Sequence, residues 1–197
     1  MKNAALTAKI LARRAKLATA PLSQTGSSEN DFVRFLFKNS EKKFILTFVN
    51  GLESKSLPYY LTLWRGIGTL DKINRQAMQR IIGTEIDLQN ILWVYRLKRF
   101  YSIFDDEIYG FLIPIRYRLS GEAFAKMVAC KDIPSLQAEI SATIYKNIFE
   151  DFSKPEQRLA NAVKMRYRTE SRRSHIALLC GYLYEKVLLL QASSPAP

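Results

Sequence analysis

The sequence predicts an all-α protein, a bundle of eight or nine helices. Apolar residues recur at three- and four-residue spacing along almost the whole chain. No run of alternating apolar and polar residues stands out, so a β-sheet is not indicated. With 48% apolar and 24% charged residues, the 197-residue chain has enough apolar material for one packed core. We therefore expect a single all-helical domain over residues 1–197.

The N-terminal part, residues 1–56, is the least regular. Leu6, Ile10 and Leu17 share one face of a predicted first helix, and residues 21–30 read as a loop. Residues 32–49 are predicted to be helical, although the run 44–49 also fits a strand. After Pro58, a short aromatic helix or turn is expected up to about Gly68.

The middle of the chain predicts two successive helices. Asp71 can cap the first, and Gly83 is expected to stop it. Thr84 and Asp87 then have the spacing of a capping box. The second predicted helix, 85–101, is apolar on nearly every side, including at Leu92 and Trp93, and should lie at the centre of the core.

The last part of the chain predicts four or more further helices. Acidic residues 105–107 begin a short helix that ends before Pro114, and Ser120 caps the next one. Pro134 opens a predicted helix over 136–152, and Pro155 opens a basic helix that continues to about Arg172. Ser174 begins the final apolar helix, which reaches about 190 and leaves 191–197 as a frayed tail.

Composition excludes several kinds of site. Two distant cysteines and a single histidine rule out a disulfide scaffold, a cysteine-rich zinc module and a two-histidine metal site. The phosphate-binding loop motif is missing, and no segment supplies about 20 apolar residues to span a membrane. A net charge of +12 favours an acidic partner, which could be nucleic acid, an anionic membrane surface or an acidic protein.

Polar residues on the apolar central helix form the first candidate site. Glu85, Asp87 and Asn90 could be a catalytic carboxylate site, or they could clamp a neighbouring segment, with Arg96 as a partner. We favour the clamp. His175 is interpreted as a surface or capping residue, and the acids at 105–107 as a solvated helix start.

Basic residues near the C-terminal end form the second candidate site. Lys164, Arg168 and Arg172 follow one another at intervals of four, which would align them on one helix face. Arg166 and Arg173 lie beside them. This stripe could bind phosphates or an acidic protein, or it could be an ordinary solvated face.

One stretch of the sequence resembles a known family closely, the C/d subunit of V-type and A/V-type rotary ATPases. The resemblance is strongest over 82–98, a run that includes Thr84, Glu85, Asp87, Asn90, Trp93 and Arg96. Residues 59–64, 70–75, 112–120 and 174–190 add to it, as do residues 3–10, which argue against a cleaved transit peptide.

The resemblance implies a helical funnel built from related helical units, with residues 57–190 as its core. Such a subunit binds no nucleotide or other cofactor and performs no catalysis. It links the central stalk of a proton- or sodium-translocating ATPase to the proteolipid ring, on the cytoplasmic side of the membrane. Compared with the family pattern, the region before residue 57 is short and the C-terminal helix is missing, which suggests a shortened member.

The alternative function, from a different class, is that of a basic helical nucleic-acid-binding protein. The net charge and the arginine-rich segment 158–173 support it, but the chain has no known nucleic-acid-binding motif.

Overall fold

The computed structural model describes residues 38–52, 55–101, 103–149 and 152–193. Within these ranges there are eight α-helices and no strand, which confirms the predicted fold class. The helices are α1 (Asn39–Gly51), α2 (Leu57–Ile67), α3 (Lys72–Phe100), α4 (Asp105–Phe111), α5 (Gly121–Ala129), α6 (Ile133–Ser141), α7 (Pro155–Glu170) and α8 (His175–Ser193). The predicted first helix, with Leu6, Ile10 and Leu17, lies outside the described residues, as does the loop at 21–30.

The helices form two compact units, so the expectation of a single domain remains a prediction. The first unit contains the described residues up to Met78 and those from Tyr167 onward. The second comprises residues 79–166. Because the boundaries fall inside α3 and α7, each of these helices contributes to both units.

In the first unit, α1 packs against α2 and α8. The stretch 44–49 lies within α1 and is therefore helical rather than a strand. Phe44, Ile45 and Phe48 are buried on one side of this helix. Tyr167 near the end of α7 contacts Phe48 edge-on, with ring centroids 6.3 Å apart, and also packs against Tyr184 of α8. Apolar burial at three- and four-residue spacing therefore explains why these segments are helices.

The second unit is built around α3. Residues 81–88 of this helix are all buried, as expected for a helix that is apolar on every side. α5 packs against α4 and α6, and Ser120 caps its start, since the Ser120 hydroxyl accepts the Ala123 N–H as predicted.

The prediction that Gly83 stops a helix is wrong, because α3 continues without a break from Lys72 to Phe100. Thr84 consequently starts no helix, and its hydroxyl donates to the carbonyl of Arg80, 2.7 Å away. A glycine is needed at position 83 because the side chain of Tyr117 packs directly against the helix backbone there. A Cβ at position 83 would lie 2.7 Å from Cδ2 and 2.8 Å from Cβ of Tyr117, which is closer than side chains can pack.

Two glycines therefore give a matched pair of stability predictions. Gly83→Ala should lower the free energy of unfolding by about 1–3 kcal/mol, because the overlap with Tyr117 outweighs alanine's higher helix propensity. Gly110→Ala, where an added Cβ meets nothing within 4 Å, should raise it by up to about 1 kcal/mol. Urea denaturation measures both, and a stabilised Gly83→Ala would contradict the packing argument.

Two further helix boundaries differ from the predictions. The helix predicted over 136–152 ends at Ser141, and turns follow as far as 149. Hydroxyl groups compete for the backbone there: Thr143 donates to the carbonyl of Ile140 and accepts the N–H of Tyr145. The basic helix α7 ends at Glu170, two residues before the predicted end near Arg172, and the Arg173 N–H donates to the Glu170 carbonyl in a tighter closing turn.

Candidate functional site

Asp87 is the centre of the polar cluster in the second unit. It is buried on α3, and its carboxylate accepts the backbone N–H groups of three consecutive residues, Tyr117, Arg118 and Leu119, at 3.1, 2.7 and 3.2 Å. It also accepts the hydroxyl of Tyr145 at 2.8 Å. Four donors occupy the two carboxylate oxygens, so this group fastens the segment that precedes α5.

Asn90, three residues further along α3, makes a second clamp. Its side-chain amide donates to the Ile113 carbonyl at 3.0 Å, and its side-chain carbonyl accepts the Ile113 N–H at 2.8 Å. Together with Asp87 it fixes both ends of the stretch 113–119, which has no regular secondary structure. Buried backbone groups in such a stretch need side-chain partners, and these two residues supply them.

Tyr145 completes this cluster as a hydrogen-bond donor. Burial, followed by the negative charge of Asp87, strongly raises the pKa of the Tyr145 phenol. The hydroxyl therefore stays protonated over the physiological range and donates to the carboxylate.

The remaining residues of the 84–96 motif are more dispersed. Glu85 is buried, whereas Trp93 is partly exposed, with 37% of its surface accessible. Arg96 takes no part in the clamp. Its guanidinium lies 5.6 Å from the centre of the Trp93 ring and forms an ion pair with Glu156 at the start of α7. Although burial opposes it, the hydrogen bond from Arg96 lowers the pKa of Glu156.

The first unit contains a buried polar cluster that the sequence analysis did not identify. The Asn74 side-chain amide donates to Asp71 and, over 3.4 Å, to Glu41, and it accepts the Ser174 hydroxyl at 2.6 Å. Glu41 is only 4% exposed, and the His175 Nε2 lies 3.2 Å from its carboxylate. The sequence contained one signal for this cluster. Asn74 is a polar residue three positions before the apolar Ala77, on the face of α3 that is buried.

This cluster also contains two helix caps that were predicted. Asp71 accepts the N–H groups of Ile73 and Asn74 at the start of α3, and Ser174 accepts the N–H of Ala177 in α8. Burial raises the pKa of Asp71, but hydrogen bonds from Asn74 and Ile73 outweigh it, so the pKa is lowered. His175, the first residue of α8, is half exposed, in keeping with a surface position.

The basic residues do not form one continuous helical stripe. Lys164 and Arg166 are half-buried on the part of α7 that belongs to the second unit. Arg168 belongs to the first unit, is exposed, and lies 3.6 Å from Glu185 of α8. Arg172 and Arg173 are exposed in the turn after α7, so the interval of four that places Lys164 and Arg168 on one helix face does not extend to Arg172.

A groove of about 260 Å³ lies beside Arg168 in the first unit. Its walls come from the end of α7 and from α8, and its surface is mostly apolar. Because Gly181 has no side chain, Tyr167 can pack closely against α8. A Cβ at position 181 would lie 3.0 Å from the Cβ of Tyr167. Exposed arginines next to an apolar groove are a common arrangement at protein–protein interfaces.

Three further features of the described residues concern metal ligands, thiols and long apolar helices. Within the described ranges, no three histidine, cysteine, aspartate or glutamate side chains come together to hold a metal ion. Cys130 and Cys180 are free thiols, and burial raises the pKa of Cys180 strongly, so it is an inert core residue. No helix in the part of the chain described by the structure is long and apolar enough to cross a membrane.

Comparison with known proteins identifies the family. Residues 57–188 match the family model described as ATP synthase (C/AC39) subunit. The match covers about two thirds of the chain, and the chain belongs to this family, a subunit family of V- and A-type rotary ATPases. A search of curated proteins gives no match, and neither does a search of solved structures.

Proposed function

We propose that this protein is a non-catalytic coupling subunit that joins the central stalk of a rotary ATPase to the proteolipid ring, on the cytoplasmic side of the membrane. The observation that supports it most directly is the family match over residues 57–188, which includes both the Asp87 clamp and the basic residues. The transported ion is a proton or a sodium ion.

The geometry of the buried polar groups is consistent with a coupling role. Asp87 and Asn90 are hydrogen-bonded within the protein, to the backbone at 113–119 and, for Asp87, also to the Tyr145 hydroxyl. A general acid or base must instead reach a bound substrate with an available proton or lone pair. The catalytic interpretation of this carboxylate is therefore less favoured than the clamp. A coupling subunit must transmit torque, and a fixed connection between helices serves that purpose.

Exposed arginines are the best candidates for the charged part of docking. Arg172 and Arg173 extend from the turn after α7, and Arg168 lies at the nearby groove. Charges at the rim of an interface mainly accelerate association and fix the orientation of the partners. We therefore assign docking to Arg168, Arg172 and Arg173 first, and to the half-buried Lys164 and Arg166 second.

Co-purification is the direct test of the proposed function. A tagged full-length chain expressed in its native cell should be recovered with stalk and ring subunits of a rotary ATPase, identified by mass spectrometry. Recovery without any subunit of such a complex, over repeated preparations in mild detergent, would reject the proposal.

Reversal of the basic residues tests how the protein docks. The triple variant Arg168→Glu, Arg172→Glu, Arg173→Glu should bind the stalk or ring at least about tenfold more weakly at low ionic strength. The defect should shrink in about 0.5 M salt, since screening weakens exposed charges. Surface plasmon resonance against the purified subunits gives both values.

A matched control separates the effect of charge at the proposed docking residues from the effect of the lower net charge of the whole protein. Lys43→Glu, Lys72→Glu and Lys131→Glu change the net charge by the same amount at exposed positions elsewhere. If both triple variants bind equally, the basic residues are only a solvated face. If instead the parent shifts a nucleic-acid band at physiological salt and only the first variant loses the shift, the nucleic-acid-binding alternative is favoured.

A further inference from the structure

An unusual concentration of exposed aromatic side chains lies at the junction of α3 and α4. Phe100 and Tyr101 are more than half exposed at the end of α3, Phe104 is 79% exposed just before α4, and Tyr109 and Phe111 are exposed on α4. We call these five residues the aromatic surface. Exposed large apolar groups scattered singly are ordinary, but five within twelve positions indicate an interaction site.

The two parts of the aromatic surface are held next to each other. The Lys98 ammonium, near the end of α3, lies 3.2 Å from the Asp105 carboxylate at the start of α4. A Cβ at Gly110 would meet nothing within 4 Å, so α4 is open to solvent even at its backbone on that side. Ile108 is the residue of α4 that is buried, and it anchors the helix to the second unit.

A cavity of about 220 Å³ adjoins the aromatic surface. Tyr109 forms part of its wall, and the other apolar lining residues are Leu112, Ile113, Pro114 and Phe124, with Arg116 as the cationic one. Asp87 and Asn90 also line it, but their polar atoms are hydrogen-bonded to the backbone at 113–119. The cavity can therefore accept an apolar anchor side chain, as the centre of a protein interface commonly does.

Charge indicates the kind of partner. Between Lys98 and Phe111 there are three acidic and two basic side chains, whereas the whole chain has a net charge of +12. Asp105 is paired with Lys98, and Arg99 is exposed at the end of α3, whereas Asp106 and Glu107 are both exposed on α4 beside the aromatic residues. Glu107 and Phe111 are four residues apart and so share a side of the helix. This acidic edge disfavours an anionic lipid surface and favours Lys or Arg on the partner.

We propose that the aromatic surface and the adjoining cavity form a docking site for a helix of a partner protein, one whose apolar face is flanked by lysine or arginine. The apolar face covers the aromatic rings and places one side chain in the cavity, and the flanking cations meet Asp106 and Glu107. This site is separate from the basic residues considered above and does not depend on the rotary-ATPase assignment.

Synthetic peptides of about five helical turns test the site against the full-length chain. One peptide has a leucine face flanked by lysines, and its control has the same leucine face flanked by glutamates. Fluorescence anisotropy at low ionic strength should show the lysine peptide binding at least about tenfold more tightly. The variant Asp106→Lys, Glu107→Lys should reverse this preference.

Serine substitutions test the apolar part. Phe104→Ser, Phe111→Ser should weaken binding of the lysine peptide at least about tenfold. The control Ile144→Ser, Met165→Ser changes two similarly exposed apolar residues elsewhere in the second unit and should leave it within about twofold. Circular dichroism checks that each variant is helical, and the charge-reversed variant provides the test should the serine variant not fold.

Several results would overturn the proposal. They are equal binding of the two peptides, no detectable binding of either at about 1 mM, and equal losses in the serine variant and its control. Binding to phosphatidylserine vesicles that depends on Phe104 and Phe111, without peptide discrimination, would assign the surface to lipid instead. A dimer that only the Phe104→Ser, Phe111→Ser variant abolishes would assign it to a second copy of the chain.

Discussion

Asp87→Ala should lower the free energy of unfolding by about 3–5 kcal/mol, the largest loss we expect from a single polar substitution. The change removes the acceptor of three consecutive backbone N–H groups and of the Tyr145 hydroxyl. Each buried donor left without a partner costs about 1–3 kcal/mol. Leu119 and Tyr145 are buried, so water cannot readily replace the carboxylate there.

Urea denaturation followed by circular dichroism measures this loss. Asp106→Ala, at an exposed position on α4, is the control for removing one acidic group, and it should change stability by no more than about 0.5 kcal/mol. A loss below about 1 kcal/mol for Asp87→Ala would mean that the segment 113–119 holds its position without the clamp.

Leu92→Ala should lower the free energy of unfolding by about 3–5 kcal/mol. Leu92 is 2% exposed on α3, and its truncation removes buried apolar contacts and leaves a cavity that the neighbouring helices can fill only in part. Thermal and urea unfolding give the value, and native-like helical circular dichroism before the transition shows that the fold is kept.

Trp93 is the natural control because it is the next residue on the same helix. Its side chain reaches solvent and lies against Arg96, so Trp93→Ala should cost about 1–2 kcal/mol, through partial loss of apolar burial and of the contact with Arg96. Similar losses at both positions would mean that Trp93 is covered in the folded protein.

The prediction that Trp93 lies inside the core is wrong, because the neighbouring elements cover α3 only in part toward its C-terminal end. The sequence from 86 to 100 is apolar on almost all sides, which indicates a central helix. Burial is complete over 81–88, but toward the end of α3 the neighbouring elements no longer cover every face, and Phe100 is 67% exposed. Apolar periodicity shows which faces can be buried, whereas the number of neighbours decides how far burial extends.

Among the candidate residues, the sequence identified Asp87 and Asn90 but not what they bind. A polar residue on an apolar helix predicts a hydrogen-bonded partner, because an unsatisfied buried group is costly. The partners are backbone groups at 113–119, 23 to 32 positions away in a segment without regular structure, and the Tyr145 hydroxyl, 58 positions away. No spacing rule relates such residues, and Arg96 was a reasonable but incorrect choice of partner.

The sequence by itself determined the helical class, the caps at Asp71, Ser120 and Ser174, and the family, because these depend on local spacing and residue type. Only the tertiary structure decided whether Gly83 ends a helix and where α6 and α7 stop. It also decided which aromatic residues face solvent at 100–111. These outcomes depend on contacts between residues far apart in the chain: the ring of Tyr117 requires a glycine at 83, and local propensity contains no information about that ring.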